Sequence, residues 1–145
     1  MSVDTQAPTI SINPLAPTND TTPTVSGKTE AGATVNVEIK DATGKVVDSG
    51  PATVDANGNW TYTPSKTLPD GAYTVDATAK DAAGNPATAT DKGLVVDTTP
   101  PTVTIDVLGL TNATSPIIKG TAEAGATVTV EVKDAAGNVI DSGNA

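Results

Sequence analysis

The sequence predicts an all-β protein built from short antiparallel strands. Three observations point to this class. Apolar and polar residues alternate along short runs, turn-forming residues separate those runs, and no stretch has the 3.6-residue period of a capped helix. Because the chain has no Phe, one Trp and two Tyr, its core must consist mainly of Val, Ile, Leu and Ala. This composition suits a thin sandwich better than a protein with a deep pocket.

Residues 34–40 give the clearest strand signal, since Val35, Val37 and Ile39 share one face and polar residues occupy the other. Runs of the same kind, separated by turns rich in Gly, Asn, Asp and Pro, occupy in order residues 9–12, 24–29, 34–40, 45–55 (interrupted by Gly50 and Pro51), 59–63, 72–80 and 87–96. This spacing predicts an immunoglobulin-like antiparallel β-sandwich of about seven strands.

The chain also repeats itself. When Asp4 is placed on Asp97, an offset of 93 residues, residues 4–52 align with residues 97–145 without a gap and are identical at 28 of 49 positions. Similarity at a fixed period indicates tandem copies of one module. We therefore expect a complete repeat over residues 1–96 and the N-terminal half of a second, truncated repeat over residues 97–145. A proline-stiffened linker is expected around residues 96–101.

The three aromatic residues have a structural and a functional interpretation. Tyr73 follows the turn "LPDG", a position typical of a tyrosine corner, although a merely half-buried aromatic is the alternative. Trp60 and Tyr62 share one face of the predicted fifth strand. That pair indicates core packing, with a sugar-stacking platform as the alternative.

The composition argues against several classes of function. Without Cys, His or Arg, the chain lacks the usual nucleophile–base pairs and the sulfur and imidazole ligands of transition metals, so we predict that it is not an enzyme. Its net charge of −9 opposes binding to nucleic acid or to acidic membrane surfaces. No apolar run has the roughly 20 residues that a membrane span requires.

Such an acidic surface suits a hard cation, above all Ca²⁺, which takes six to eight oxygen ligands with loose geometry. Loops of a sandwich alternate between its two ends, so the acidic and amide residues are expected to gather there. One end should hold Asp4, Glu30, Asp55, Asn57, Asp81 and Asn85, and the other Asp41, Asp70 and Asp97, with Glu123 of the next module facing this second end. The alternative is that Asp and Asn are present simply because they favour turns.

The segments "VDTTPPTVTI", "GTAEAGATVTVEVKDAAGNVI" and "DANGNWTYTPSKTLPDGAYTVDATAKDAAGN" resemble the bacterial immunoglobulin-like repeats of giant Gram-negative surface adhesins. Those adhesins are of the type I-secreted, repeats-in-toxin kind, and the resemblance is to their extender regions. It implies an extracellular stalk of tandem sandwiches that projects a distal ligand-binding region for adhesion and biofilm formation, with calcium stiffening the junctions.

On that resemblance, the calcium ligands would be the junction acid Asp97 (Asp4 in the first copy), Glu30 with Glu123, and Asp81 with Asn85. The expected partners are neighbouring repeats of the same chain and calcium. A carbohydrate- or protein-binding module that uses its end loops is the alternative function. Residues 97–145 are expected to supply three strands whose apolar face lacks a partner, and to be disordered alone or to pair with strands of another chain.

Overall fold

The computed structural model describes residues 1–145 and divides the chain into two compact units, Met1–Thr98 (unit 1) and Thr99–Ala145 (unit 2). Both units are all-β. The strands of unit 1 are β1 (Ile10–Ile12), β2 (Pro17–Thr18), β3 (Val25–Thr29), β4 (Thr34–Lys40), β5 (Val46–Pro51), β6 (Thr53–Val54), β7 (Asn59–Tyr62), β8 (Gly71–Lys80) and β9 (Pro86–Val96). No helix in the structure is long and apolar enough to cross a membrane.

Unit 1 is the predicted immunoglobulin-like sandwich. One sheet has the strand order β1-β3-β7-β6 and the other β2-β9-β8-β4-β5. Every pairing is antiparallel except that of β2 with β9. The period-two pattern places alternate side chains of each strand between the sheets, so β4 buries Val35, Val37 and Ile39 and exposes the residues between them or leaves them half-buried.

The aromatic residues are part of this core, as core packing predicts. Trp60 is 0% exposed, and its indole N–H donates a hydrogen bond of 3.1 Å to the Ser11 carbonyl on β1. Tyr62 and Tyr73 are also buried. The Tyr73 hydroxyl donates to the Pro69 carbonyl at 2.6 Å, which confirms the tyrosine corner. No aromatic ring is therefore exposed for stacking on a sugar.

Unit 1 has nine strands rather than about seven. The fourth predicted run divides at Ala52 into β5 and β6, so β5 continues through Gly50 and Pro51, where the sequence suggested a break. The unexpected strand is β2, whose two residues lie parallel to Val95 and Val96 of β9. A two-residue strand that begins with proline carries no periodicity, and it is defined by its partner.

Unit 2 contains four short strands rather than three: β10 (Val103–Ile105), β11 (Gly120–Ala122), β12 (Thr129–Lys133) and β13 (Val139–Asn144). They form two separate antiparallel hairpin pairs, β10 with β11 and β12 with β13. The apolar face expected to lack partners is largely open: Val103 and Ile105 are 63% and 68% exposed, and Val128, Val130 and Val132 are half-buried.

Gly27 on β3 is required because neighbouring strands of the sheet approach it closely. A Cβ atom there would lie 1.9 Å from the Ser11 carbonyl oxygen and 2.8 Å from the Trp60 ring. Gly120, its counterpart in unit 2, is equally close to the Thr104 carbonyl oxygen, at 1.9 Å. Both copies therefore need glycine for the first hairpin to form.

Candidate functional site

The N-terminal end of unit 1, where the chain begins its first strand, is organised by Asp81 and Asn85. The Asp81 carboxylate accepts hydrogen bonds of 2.9 Å from the backbone N–H groups of Ala83 and Asn85. The Asn85 amide donates both to Asp81 Oδ2 at 2.8 Å and to the Asp4 carbonyl at 3.0 Å. The structure thus brings three of the predicted residues together and ties the start of the chain to the turn between β8 and β9.

Glu30 lies at the same end without contacting that group through a hydrogen bond. Its backbone N–H donates to the Thr9 carbonyl at 3.3 Å, and its carbonyl accepts from Ala33 at 3.1 Å. The turn that contains Asp55 and Asn57 is adjacent, because the Gly58 carbonyl accepts from the Thr29 N–H at 2.7 Å. The side chain of Glu30 is exposed.

The C-terminal end of unit 1 holds Asp41, Asp70 and Asp97. Asp70 accepts hydrogen bonds from the backbone and the hydroxyl of Thr98, at 3.1 and 2.7 Å. The backbone N–H of Asp97 donates to the Thr18 carbonyl at 2.9 Å. Burial raises the pKa of Tyr73, and the negative charges of Asp41 and Asp70 raise it further, so both carboxylates lie near its ring.

Most of these carboxylates already stabilise their own turns. Asp41 accepts from the hydroxyl and N–H of Thr43 and the N–H of Lys45. The hydrogen bond from the Thr43 hydroxyl is the main cause that lowers the pKa of Asp41, and the one from the Asn85 side chain does the same for Asp81. The interpretation that these acids are turn residues is thus supported at both positions.

Neither unit by itself assembles a cluster of acids around a cation. No group of three or more acidic side chains within either unit lies close enough together to hold a metal ion. In unit 2, Glu123 repeats the backbone bonding of Glu30: its N–H donates to the Thr102 carbonyl, and its carbonyl accepts from Ala126, both at 3.1 Å. A calcium ion would need carbonyl oxygens or ligands from two modules to complete its six to eight oxygens.

One notable acid was not identified from the sequence. Asp48 on β5 is 5% exposed and accepts three hydrogen bonds, from the Tyr62 hydroxyl at 2.8 Å and from the Ser65 backbone and hydroxyl at 2.9 Å each. Burial opposes its charge and would raise the pKa of Asp48, but these hydrogen bonds outweigh burial and lower it. The signal available was an Asp within an apolar strand in both copies, at Asp48 and Asp141.

Solved structures that are similar to this chain include the following two. CopC from Methylosinus trichosporium OB3b is 18% identical, with a TM-score of 0.50, over 61% of this chain and 94% of CopC, which supports the fold alone. A tetra-tandem repeat in the extending region of a large adhesion protein is 28% identical, with a TM-score of 0.49. That match covers 96% of this chain but only 37% of the other. No curated protein sequence matches the chain.

Two family profiles match the sequence. The profile described as bacterial Ig-like domain covers residues 16–98, and the profile described as bacterial Ig-like domain (group 3) covers residues 58–142. The first covers the sandwich of unit 1 from β2 to β9 and leaves out β1, and the second runs from the last strands of unit 1 into unit 2. The chain therefore belongs to the bacterial Ig-like domain family.

Proposed function

We propose that this chain is a spacer segment of a repetitive bacterial cell-surface adhesin, extending a distal ligand-binding region away from the cell for adhesion and biofilm formation. Support comes from its membership of the bacterial Ig-like family and from its internal repeat, in which residues 97–145 restart the sequence of residues 4–52. Secretion by a type I, repeats-in-toxin route is part of the proposal and rests on the resemblance in sequence.

The observation that carries the proposal is where the chain enters and leaves the sandwich. The Asp4 carbonyl accepts a hydrogen bond from the Asn85 side chain beside the C-terminal end of β8. The Thr98 hydroxyl donates a hydrogen bond to Asp70 beside the N-terminal end of the same strand. β8 has ten residues, so these two points are separated by about 33 Å along the strand. A module of this kind advances the chain by its full length, which is the property that a spacer needs.

We propose further that calcium stiffens the joint between modules, with Asp97 and Glu123 as ligands at the junction and Asp41 and Asp70 as the acids nearest to it. The first-copy residues Asp4, Glu30, Asp81 and Asn85 would serve a preceding joint in the same way. Two features support this proposal: the net charge of −9, and the position of these acids at the ends of the module. Without a cation, converging carboxylates repel one another.

The spacer role is tested by small-angle X-ray scattering of chains that carry two, four and eight copies of residues 4–96. The maximum dimension should grow in proportion to the number of copies, by about 35–40 Å per module, because each module advances the chain by the length of its strands. Growth with the cube root of the number of copies would mean a collapsed assembly and would contradict the role.

The calcium joint is tested separately on the same tandem chains. Isothermal titration should detect Ca²⁺ with a dissociation constant of about 10⁻⁴–10⁻³ M, the range of extracellular modules. Asp4→Ala in every copy after the first, which changes the junction position equivalent to Asp97, should remove that binding and broaden the distribution of lengths without lowering the melting temperature of the modules. Identical scattering in calcium and in chelator would refute the calcium joint and leave the spacer role intact.

A further inference from the structure

Four turns of this chain share one five-residue pattern, Asp-Ala-X-Gly followed by Lys or Asn. They begin at Asp41, Asp55, Asp81 and Asp134. In each turn, the aspartate carboxylate accepts hydrogen bonds from the backbone N–H groups two and four residues later. The glycine N–H donates to the aspartate carbonyl, and the glycine has a positive φ. The four turns are therefore the same structure with different residues at the third position.

The geometry of this turn fixes the glycine but not the residue before it. Gly58 has a φ of 81°, which residues with a side chain rarely adopt, and a Cβ atom there would lie 2.1 Å from the Thr29 carbonyl oxygen. The third position is exposed in all four turns and is occupied by Thr43, Asn57, Ala83 and Ala136. Only the turn that begins at Asp55 places an asparagine directly before the required glycine.

Asn57 and Gly58 form the single Asn-Gly pair of the chain, and the exposed side-chain amide of Asn57 makes no hydrogen bond in the structure. The Cγ atom of an asparagine can be attacked by the backbone nitrogen of the next residue, and glycine hinders this attack least because it has no side chain. The other eight asparagines precede Pro, Asp, Val, Trp or Ala. A proline nitrogen has no proton to lose, and the other four residue types carry side chains beside the nitrogen.

We propose that Asn57 is a site of spontaneous deamidation through a cyclic imide, and that the Asp55 carboxylate controls the rate. The Gly58 nitrogen loses its proton and bonds to Cγ of Asn57, while the Cγ–Nδ2 bond breaks and ammonia leaves. Water then opens the imide at either carbonyl. The products are aspartate in the normal backbone and isoaspartate, whose backbone contains an additional CH₂ group. The inference is independent of the spacer role and of calcium.

The closed turn opposes this reaction. Gly58 is buried, and its N–H donates to the Asp55 carbonyl at 3.1 Å, so the attacking nitrogen is hydrogen-bonded and shielded. The Asp55 carboxylate keeps the turn in this form, because it accepts from the N–H groups of Asn57 and Asn59 at 2.9 Å each and from the Asn59 side chain at 3.1 Å. The reaction therefore requires local opening of the turn, whose frequency depends on these hydrogen bonds.

The two products should differ in their effect on unit 1. The Gly58 carbonyl accepts from the Thr29 N–H at 2.7 Å, and β7, which contains the fully buried Trp60, begins at the next residue. An additional CH₂ group within residue 57 displaces these groups relative to Asp55, whereas aspartate in the normal backbone does not. The isoaspartate product should therefore be less stable than the variant Asn57→Asp, which has the same charge and an unaltered backbone.

The site is tested by incubating the full chain in mildly alkaline buffer and locating the conversion of amide to acid by mass spectrometry of its fragments. Asn57 should convert before the other eight asparagines, and Asn57→Ala, which introduces the residue found at Ala83, should remove this first conversion. Isomerisation at Asp70 and Gly71 leaves the mass unchanged and does not interfere. First conversion at another asparagine would overturn the proposal.

A synthetic peptide of residues 53–63 measures the protection that the fold provides. Asn57 in the peptide should convert at least about tenfold faster than in the full chain, because the peptide lacks the contact with Thr29 and does not hold the turn closed. Equal rates in peptide and chain would overturn the role assigned to the closed turn.

The role of Asp55 is tested by Asp55→Ala in the full chain, with Asp81→Ala as the matched control. Asp55→Ala should speed conversion of Asn57 at least about fivefold, the effect of losing one ordinary hydrogen bond. Asp81→Ala removes the same kind of hydrogen bonds from a turn without an Asn-Gly pair and should leave the rate at Asn57 unchanged. Both variants are measured below their melting temperatures, followed by Trp60 fluorescence. An unchanged rate in Asp55→Ala, or equal acceleration by both variants, would overturn the control by Asp55.

The consequence for stability is measured on the separated products. Ion-exchange chromatography separates the deamidated chains from the unmodified chain, and the isoaspartate product should melt at a lower temperature than Asn57→Asp. Identical melting of the isoaspartate product and Asn57→Asp would contradict the displacement of Gly58 and β7.

Discussion

Residues 4–52 and 97–145 are two copies of one repeat, identical at 28 of 49 positions, in two different surroundings. In the first copy, Val37 is 0% exposed between two sheets, and in the second its counterpart Val130 is only half-buried. β3 has five residues, but its counterpart β11 has three, and β2 has no counterpart at all. β4 has seven residues and its counterpart β12 has five, so the strands that shorten or disappear are those whose partners in unit 1 include β7, β8 or β9.

The difference separates what local sequence determines from what needs the rest of the module. Hairpin pairing, register and the turn at Asp41 or Asp134 are the same in both copies, because each depends on residues close in sequence. Burial of the apolar face requires residues 53–96, which occur once in this chain. Substitutions at equivalent positions should therefore have unequal effects.

The largest difference between equivalent substitutions in the two copies is expected when a charge is placed on the apolar face. Val37→Asp should destabilise unit 1 by more than about 4 kcal/mol, because it buries an unpaired carboxylate, and should abolish its cooperative unfolding. Val130→Asp should leave that transition unchanged, since the core of unit 1 contains no residue of unit 2. Thermal unfolding followed by fluorescence of Trp60, the single tryptophan, reports on unit 1. Equal effects of the two substitutions would contradict the comparison.

A smaller difference in stability is expected between substitutions of the aspartates in the second hairpin of each copy, Asp48 and Asp141. Asp48→Ala should cost unit 1 about 2–4 kcal/mol, because it leaves the Tyr62 hydroxyl and the Ser65 N–H without their acceptor in a buried site. Asp141→Ala should change stability by less than about 0.5 kcal/mol, as for an ordinary surface site. Urea denaturation of both variants measures the difference, and a cost below 1 kcal/mol for Asp48→Ala, on the order of a single ordinary hydrogen bond, would argue against the network.

Tyr73 lies within residues 53–96, outside the two aligned stretches, so its substitution measures what this part of unit 1 contributes to stability. Tyr73→Phe should cost about 1 kcal/mol, the value of one hydrogen bond, because only the bond to the Pro69 carbonyl is lost. Calorimetry should show a lower melting temperature with one cooperative transition. A neutral result would mean that the corner contributes only through packing of the ring.

The smallest effect is expected in the pH dependence of unit 1. The pKa of Asp48 is lower in the folded state than its ordinary value of 3.8, so its contribution to stability is present above pH 3.8 and is lost as the pH falls below it. Asp48→Asn should therefore flatten the decline of melting temperature in acid, without abolishing it, because other aspartates of unit 1 also have lowered pKa values. An unchanged slope would contradict this assignment.

The alkaline side provides an independent measurement on the same hydrogen bond. Burial, with the hydrogen bond to Asp48 and its charge, raises the pKa of Tyr62 to about 12 from 10.0. A group whose pKa is raised on folding contributes stability that is present below pH 10 and lost as the pH rises towards 12. Tyr62→Phe should remove this loss of stability with rising pH. Melting curves recorded between pH 10 and about pH 12 would detect the change.

Much of the fold could be predicted because alternation along each strand is a local property. The run at residues 34–40, the buried Trp60 and the corner at Tyr73 all follow from short patterns. The sequence did not predict β2, because its pairing with β9 joins residues nearly eighty positions apart. Nor did it show that Asp48 faces inward, since that depends on the irregular register after Ile39.

The candidate site was predicted less completely. The grouping of Asp4, Asp81 and Asn85 follows from the alternation of loops between the two ends of a sandwich. The order of the loops does not reveal which groups each carboxylate binds. The Asp81 carboxylate accepts hydrogen bonds from backbone N–H groups within four residues of itself. Local hydrogen bonding and cation binding call for the same residue types, so composition alone does not distinguish them.

The positions at which the chain enters and leaves unit 1 have a consequence for the gene. Because the chain enters at one end of the sandwich and leaves at the other, the reading frame can gain a block of 93 codons at the boundary between repeats without interrupting the strands of unit 1. Recombination between the two similar stretches would exchange Val37 for Val130 and Asp48 for Asp141, residues of the same kind in the same register. The length of the encoded protein can thus change in whole modules while each sandwich stays the same.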